Sequence, residues 1–285
     1  MASRHERLFG TSASHPAQYA AVAVAGCILL QITACILTRR RARRLFDTWS
    51  VLTVSIVCVF TLVVRGAYFP RQVLGTVCLC AWSFRLAAYL YKRHQLVDTV
   101  SAQDVLPRIL WALTCSLPVV LVNEIQIHAY HVTPTELVGC TMCAVALVFE
   151  TIADAQKHAW HLTRRSNRPT KCSEEPPVCH TGLWAWSRHP NMFGELVFHW
   201  SVYLIVQPVL PAAAVLAPVA NTAMLLLGGF AKLERQRNGQ YALYPQYAIY
   251  KFKTSPLVPM SPGLYARLST PFKTRFCCEV QGFDV

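Results

Sequence analysis

The chain has 285 residues, of which 54% are hydrophobic and only 14% charged, with a formal net charge of +13. A soluble domain carries about 25% charged residues, so this composition argues against an ordinary soluble globular domain and for a membrane protein. The excess of basic residues is concentrated: Arg39, Arg40, Arg41, Arg43 and Arg44 directly follow an apolar segment, the pattern that sets membrane orientation, so nucleic-acid binding is set aside.

In chain order, a tail over 1–16 precedes a first apolar stretch at 17–38. It is long enough to span and is followed rather than preceded by its main basic cluster, which reads as a membrane helix and not a cleaved signal. Further apolar runs at 49–64, 72–91, 105–122, 132–149, 193–208 and 212–231 bring the expected count to about seven, with Pro208 and Pro211 making the last two a tight helical hairpin. Segments 39–48, 92–104, 150–192 and 232–285 hold 21 of the 27 lysines and arginines, whereas the connections 123–131 and 209–211 hold none. An odd number of spans with the N-terminus outside or lumenal and the C-terminus cytoplasmic puts all these basic segments on one side. The expected architecture is an all-α, polytopic transmembrane helix bundle, one domain over 17–262 followed by a tail over 263–285.

Cys27, Cys35, Cys58, Cys78, Cys80, Cys115, Cys140 and Cys143 fall inside apolar runs, where a thiol behaves as a small hydrophobe. Cys140-x-x-Cys143 has metal-like spacing but no second pair, so no metal site is expected. Cys277 and Cys278 suit either palmitoylation or an unmodified pair.

Three segments hold the residue types that carry chemistry. In F-E-T-I-A-D-A-Q-K-H-A-W-H (149–161), Glu150, Asp154, Lys157 or His158, and His161 share one helical face. That face is either solvated or the lining of a cavity open to the cytoplasm. In S-R-H-P-N-M-F-G-E (187–195), Pro190 suits a first helical turn, whose free N–H groups together with Arg188 make an anion site for a pyrophosphate or carboxylate. Asn191, Glu195 and His199 line one face of the same helix, and ionisable groups inside an apolar run point to a functional site. In K-L-E-R-Q-R-N-G-Q-Y-A-L-Y-P-Q-Y (232–247), Arg235 and Arg237 suit phosphate and Tyr241, Tyr244 and Tyr247 suit a planar ring; an ordinary interfacial belt has the same composition. No G-x-G-x-x-G, P-loop, G-x-S-x-G or H-E-x-x-H motif is present.

Taken together, F-E-x-x-x-D-x-Q-K, G-L-W-x-x-S-R-H-P-N-x-F-G-E-x-x-x-x-W and Y-x-x-Y-x-x-Y-K-x-x-T-S-P-L-V-P, with W-S-F-R-L at 82–86, resemble the steroid 5α-reductase-like superfamily of integral membrane proteins, in its broad and mostly uncharacterised branch. The resemblance covers roughly 45–262. That superfamily includes steroid, polyprenol and sterol reductases that use NADPH, and isoprenylcysteine carboxyl methyltransferases that use S-adenosylmethionine. Its fold implies a cofactor-binding C-terminal half, about 149–262, and a location in the endoplasmic reticulum. Asn191, the Gly194–Glu195 pair and Asp154 are similar to the reductase pattern. Two departures stand out. Met192 replaces the motif's usual tyrosine, and the second span lacks the carboxylate that polarises a ketosteroid carbonyl.

The resemblance implies an NADPH-dependent reductase of a lipid carbon–carbon double bond conjugated to a carbonyl, the lipid being drawn from the bilayer. The site residues expected for that chemistry are Asp154, Lys157, Arg188, His189, Asn191, Glu195, Arg235, Tyr241 and Tyr244 for the cofactor, with Tyr91 as candidate proton donor and Asp47 behind it. A methyltransferase using S-adenosylmethionine and a non-catalytic lipid-binding protein of the same fold are the alternatives.

Overall fold

A computed structural model describes residues 16–38, 43–66, 68–92, 102–125, 131–166 and 175–279. The tail up to residue 15, Arg39, Arg40 and Arg41 of the basic cluster, and residues 280–285 lie outside them. The described residues are helical almost throughout and form no strand; one isolated parallel bridge joins Ser187 to Ser255.

The chain divides into two compact units, one of residues 1–133 with 205–214 and one of residues 134–204 with 215–285. The first unit is built on α1 (Pro16–Thr38), α2 (Arg43–Arg65), α3 (Pro70–Lys92) and α4 (Ala102–Glu124). Their apolar faces meet around Val54, Cys58, Leu79, Trp82, Ala112 and Val119, all fully buried, and Trp82 packs on Trp111 with centroids 5.8 Å apart. Buried polar side chains join the helices in pairs. Ser50 Oγ donates to Gln31 Oε1 at 2.8 Å, Asn123 Nδ2 to Thr61 Oγ1 at 3.0 Å, and Gln72 Nε2 to the Val122 carbonyl at 2.9 Å. In a membrane each such bond contributes about 0.6 kcal/mol, small but specific in register.

The second unit starts with α5 (Pro134–Ser166), whose 33 residues extend about 50 Å and so outrun a hydrocarbon core of about 30 Å. After a loop comes α6 (Pro190–Val206), whose last two residues belong with the first unit. Then α7 (Leu216–Ala223), a π-helical stretch (Met224–Phe230) and α8 (Ala231–Tyr241) run on without a break. The wide turn contains Gly228 and Gly229, and Met192 sits against Gly229, where an added Cβ would lie 3.6 Å from its Cε. The chain thus stays helical past the last apolar run, to Tyr241. It continues as α9 (Pro245–Lys253), α10 (Pro262–Arg267) and α11 (Thr270–Phe276).

Among the described residues, five helices are long and apolar enough to cross a membrane: Leu45–Arg65, Pro70–Lys92, Val105–Glu124, Pro134–Thr163 and Ala212–Tyr241. The other two expected spans are helical as well: α1 runs for 23 residues without a charge, and α6, at 17 residues, reaches about 25 Å. Close approach of α5 and α6 depends on Gly194, where a Cβ would come within 3.1 Å of Glu150 Cβ.

Candidate functional site

The three sequence motifs of the C-terminal half converge in the second unit, beginning at α5. Gln156 Oε1 accepts the Leu183 N–H at 2.9 Å, and the Trp184 indole donates to the Ala153 carbonyl at 2.9 Å. Lys157 lies over the Trp184 ring, 4.9 Å from its centroid. This grip needs a glycine at 182, which adopts φ +62° and whose Cβ would collide with the Gln156 amide. On the other side the 186–189 strip is fastened to the 250–260 strip. Arg188 N–H donates to the Ser255 carbonyl at 2.8 Å, Met260 N–H to Trp186 at 3.0 Å, Ser187 Oγ to Leu257 at 2.7 Å, and Tyr250 hydroxyl to Trp184 at 2.7 Å. S-R-H-P is thus held rigidly between G-L-W and T-S-P-L-V-P.

At the start of α6, Arg188 and His189 are buried, 1% and 2% exposed, against the fully buried Glu234 of α8. Arg188 Nη1 donates to Glu234 Oε2 at 2.6 Å and the His189 Nε2 position lies 2.8 Å from Glu234 Oε1, so one carboxylate holds both side chains. The second Arg188 nitrogen, Nη2, donates to Glu279 Oε2 at 2.5 Å. Arg237 donates to the Arg188 carbonyl at 3.2 Å. Burial by itself would lower the Arg188 pKa, but Glu234 and Glu279 outweigh it and hold the guanidinium firmly charged. His189 goes the other way. Burial first and the Arg237 charge next push it down to about 3 against the pull of Glu234, so it is a neutral imidazole donating to Glu234 through Nε2–H.

Beside this cluster is a cavity of about 310 Å³. Its walls include Tyr241, Tyr244 and Tyr247 with Phe252 and Tyr265, and its polar lining is Asn238, Lys251, Lys273 and Glu279. The tyrosines pack on one another, Tyr241 with Tyr244 at 5.9 Å and with Tyr247 at 5.5 Å between centroids. Tyr247 hydroxyl donates to Asn238 Oδ1 at 3.1 Å, and burial pushes that phenol up to about 12. Lys273 lies over both Phe252 and Tyr265, and burial lowers its pKa despite the opposing pull of Glu279.

Of the residues expected from sequence, Arg188 and His189 form the cluster's core, while Tyr241 and Tyr244 line the cavity. Arg188 is the one whose role differs most from expectation: two carboxylates already hold it. Arg235 is exposed, and Arg237, two residues on, is the arginine that reaches the cluster. Asp154 is buried at 4% exposure on α5, one turn from the buried Glu150, and Asn191 and Glu195 are half-buried on α6. Asp47 and Tyr91 belong to the first unit. Asp47 is held by Arg108 at 2.7 Å, and Tyr91 is 55% exposed at the end of α3. Sequence reasoning missed Glu234, Asn238 and Glu279 as members of the site. For two of them a signal existed: Phe230, Glu234 and Asn238 recur every four residues and all three are buried on one face of α8 and the turn before it. Among the described residues no cluster of His, Cys, Asp and Glu is arranged to hold a metal ion.

Comparison with known families gives one match, over residues 105–254, to a family described as "Protein of unknown function (DUF1295)". No curated protein and no solved structure shows a significant match.

Proposed function

The chain belongs to the DUF1295 family, the family of the steroid 5α-reductase-like group, and on that premise we propose that it is a membrane-embedded reductase. Its substrate is a lipid carbon–carbon double bond conjugated to a carbonyl, and its cofactor is NADPH. In the arrangement proposed, the N-terminus is lumenal, the C-terminus is cytoplasmic and the membrane is that of the endoplasmic reticulum.

The observation that carries this reading is the buried Arg188–Glu234–His189 unit, with Arg237 beside it, next to a cavity lined by tyrosines. The residues suit the cofactor in kind. Arg188 Nε and Asn238 Nδ2 are buried donors with no hydrogen-bond partner among the described residues, and a buried donor left unpaired costs about 1–3 kcal/mol until a ligand accepts from it. Tyr241, Tyr244 and Tyr247 offer ring faces to a planar base. When bound, NADPH supplies the hydride. Arg188 and Arg237 orient its phosphates, the neutral His189 keeps Glu234 aligned on Arg188, and Asp154, Asn191 and Glu195 bond ribose and carboxamide groups. Tyr241 and Tyr244 keep water out on the cytoplasmic side.

Equilibrium binding of tritiated NADPH and of labelled S-adenosylmethionine to the detergent-purified chain tests this. Saturable NADPH binding, weakened tenfold or more by Arg237→Ala, is the expected result. Methyl-donor binding alone would replace the reductase by a methyltransferase, and binding of neither would leave a non-catalytic lipid-binding protein.

A further inference from the structure

Glu279 reaches the cluster from outside the region matched by the family, 105–254. α10 and α11 bring the chain back across α9, and Cys278 turns it with φ +60° so that the Glu279 N–H closes on the Lys273 carbonyl at 3.2 Å. The result is a carboxylate that accepts from Arg188 at 2.5 Å and from the Tyr265 hydroxyl, with Lys251 Nζ 3.6 Å away.

Three observations bear on the role of Glu279. Glu234 is fully buried and holds two residues, whereas the Glu279 side chain is 14% exposed and lines the cavity. Arg188, Arg237, Lys251 and Lys273 all act on these two carboxylates, so the site already gathers positive charge. Finally, Arg188 Nε and Asn238 Nδ2 stay unsatisfied while Glu279 is in place. A single carboxylate uses one end of the guanidinium; a phosphate has more oxygens and more charge to offer the same donors.

We propose that Glu279 is a built-in competitor, its carboxylate standing on Arg188 where a phosphate-bearing ligand binds, so that ligand binding releases the segment 262–279. This rests on the reading that Arg188 orients phosphates. The segment is then an autoinhibitory strap, and any productive ligand must carry an anion able to displace a carboxylate.

Hydrogen–deuterium exchange on the purified full chain, with inorganic pyrophosphate as the probe, tests the strap. Peptides within 262–279 should gain exchange saturably as pyrophosphate is added to the wild type. Glu279→Gln should show that faster exchange without ligand and bind pyrophosphate about tenfold more tightly. If pyrophosphate fails to bind, or binds with no change in these peptides, the strap is refuted, and the wild-type measurement decides even if the variant folds poorly. Equal or weaker affinity in a folded Glu279→Gln variant refutes it too. Running NADPH in parallel separates the two proposals. Strap release by pyrophosphate without NADPH binding overturns the cofactor and keeps the strap; NADPH binding with the strap still protected does the reverse.

Discussion

His189 stays neutral because it is buried beside Arg237, and this ties the protein's stability to pH. Its pKa is about 3 when folded against 6.5 ordinarily, so on acidification the unfolded chain takes up a proton that the folded chain refuses. The contribution is complete above pH 6.5 and is lost as pH falls below it, by about 2 kcal/mol between pH 6.5 and 5 at 1.36 kcal/mol per pH unit for one proton. Glutamine can still donate to Glu234 and cannot titrate. The apparent Tm of His189→Gln in detergent should therefore decline less steeply than wild type from pH 7 to 5; parallel slopes would mean that His189 is not held neutral. The same residue shows what sequence reading can reach at this scale. R-H-P at a helix start identified the pair, but the partner that fixes their geometry, Glu234, lies 45 residues on in a stretch whose basic composition drew attention to its arginines. A glutamate reads as buried only once the four-residue recurrence Phe230, Glu234, Asn238 is placed on one helix face.

Among the elements, the loop between α5 and α6 shows why the motifs are spaced as they are. Gln156 of D-A-Q-K holds the Leu183 N–H, and Gly182 is the one position where the chain passes too close to that amide for a side chain, at φ +62°. Gly182→Ala should cost about 2–3 kcal/mol, combining the left-handed penalty with loss of the Gln156 bond. Because part of that cost is a collision with Gln156, it should shrink in a Gln156→Ala background. A double-mutant cycle on thermal stability reads this coupling, and strictly additive effects would show that the two residues act separately. The helices themselves were legible because apolar runs in a membrane have little choice but helix. Their ends were less so. The hydropathy of 212–231 stops where Lys232 begins, yet the helix runs on to Tyr241 because Glu234 and Asn238 have buried partners within the second unit. For α10 and α11, short sequences after several prolines gave no periodic signal, and only contacts made far away in sequence hold them in place.

For the whole molecule the decisive question is which side of the membrane each connection faces. Basic residues cluster in alternate connections, and the orientation proposed from them has the end of α8 cytoplasmic and the 123–131 connection on the opposite side. Among the described residues five helices meet the length and hydropathy needed to cross, and α1 and α6 are the two further spans expected from sequence. If either failed to cross, the alternation would break and one basic segment would have to be translocated, an arrangement the charge rule disfavours. Two exposed positions distinguish the cases, His131 before α5 and Leu243 after α8. In sealed vesicles with the cytoplasmic face outward, a membrane-impermeant maleimide should label Leu243→Cys directly. It should label His131→Cys only after permeabilisation, in a background where Cys172 and the exposed Cys278 are replaced by serine. Equal labelling of both before permeabilisation would mean that α5 through α8 cross an even number of times, and the odd-span arrangement would be overturned.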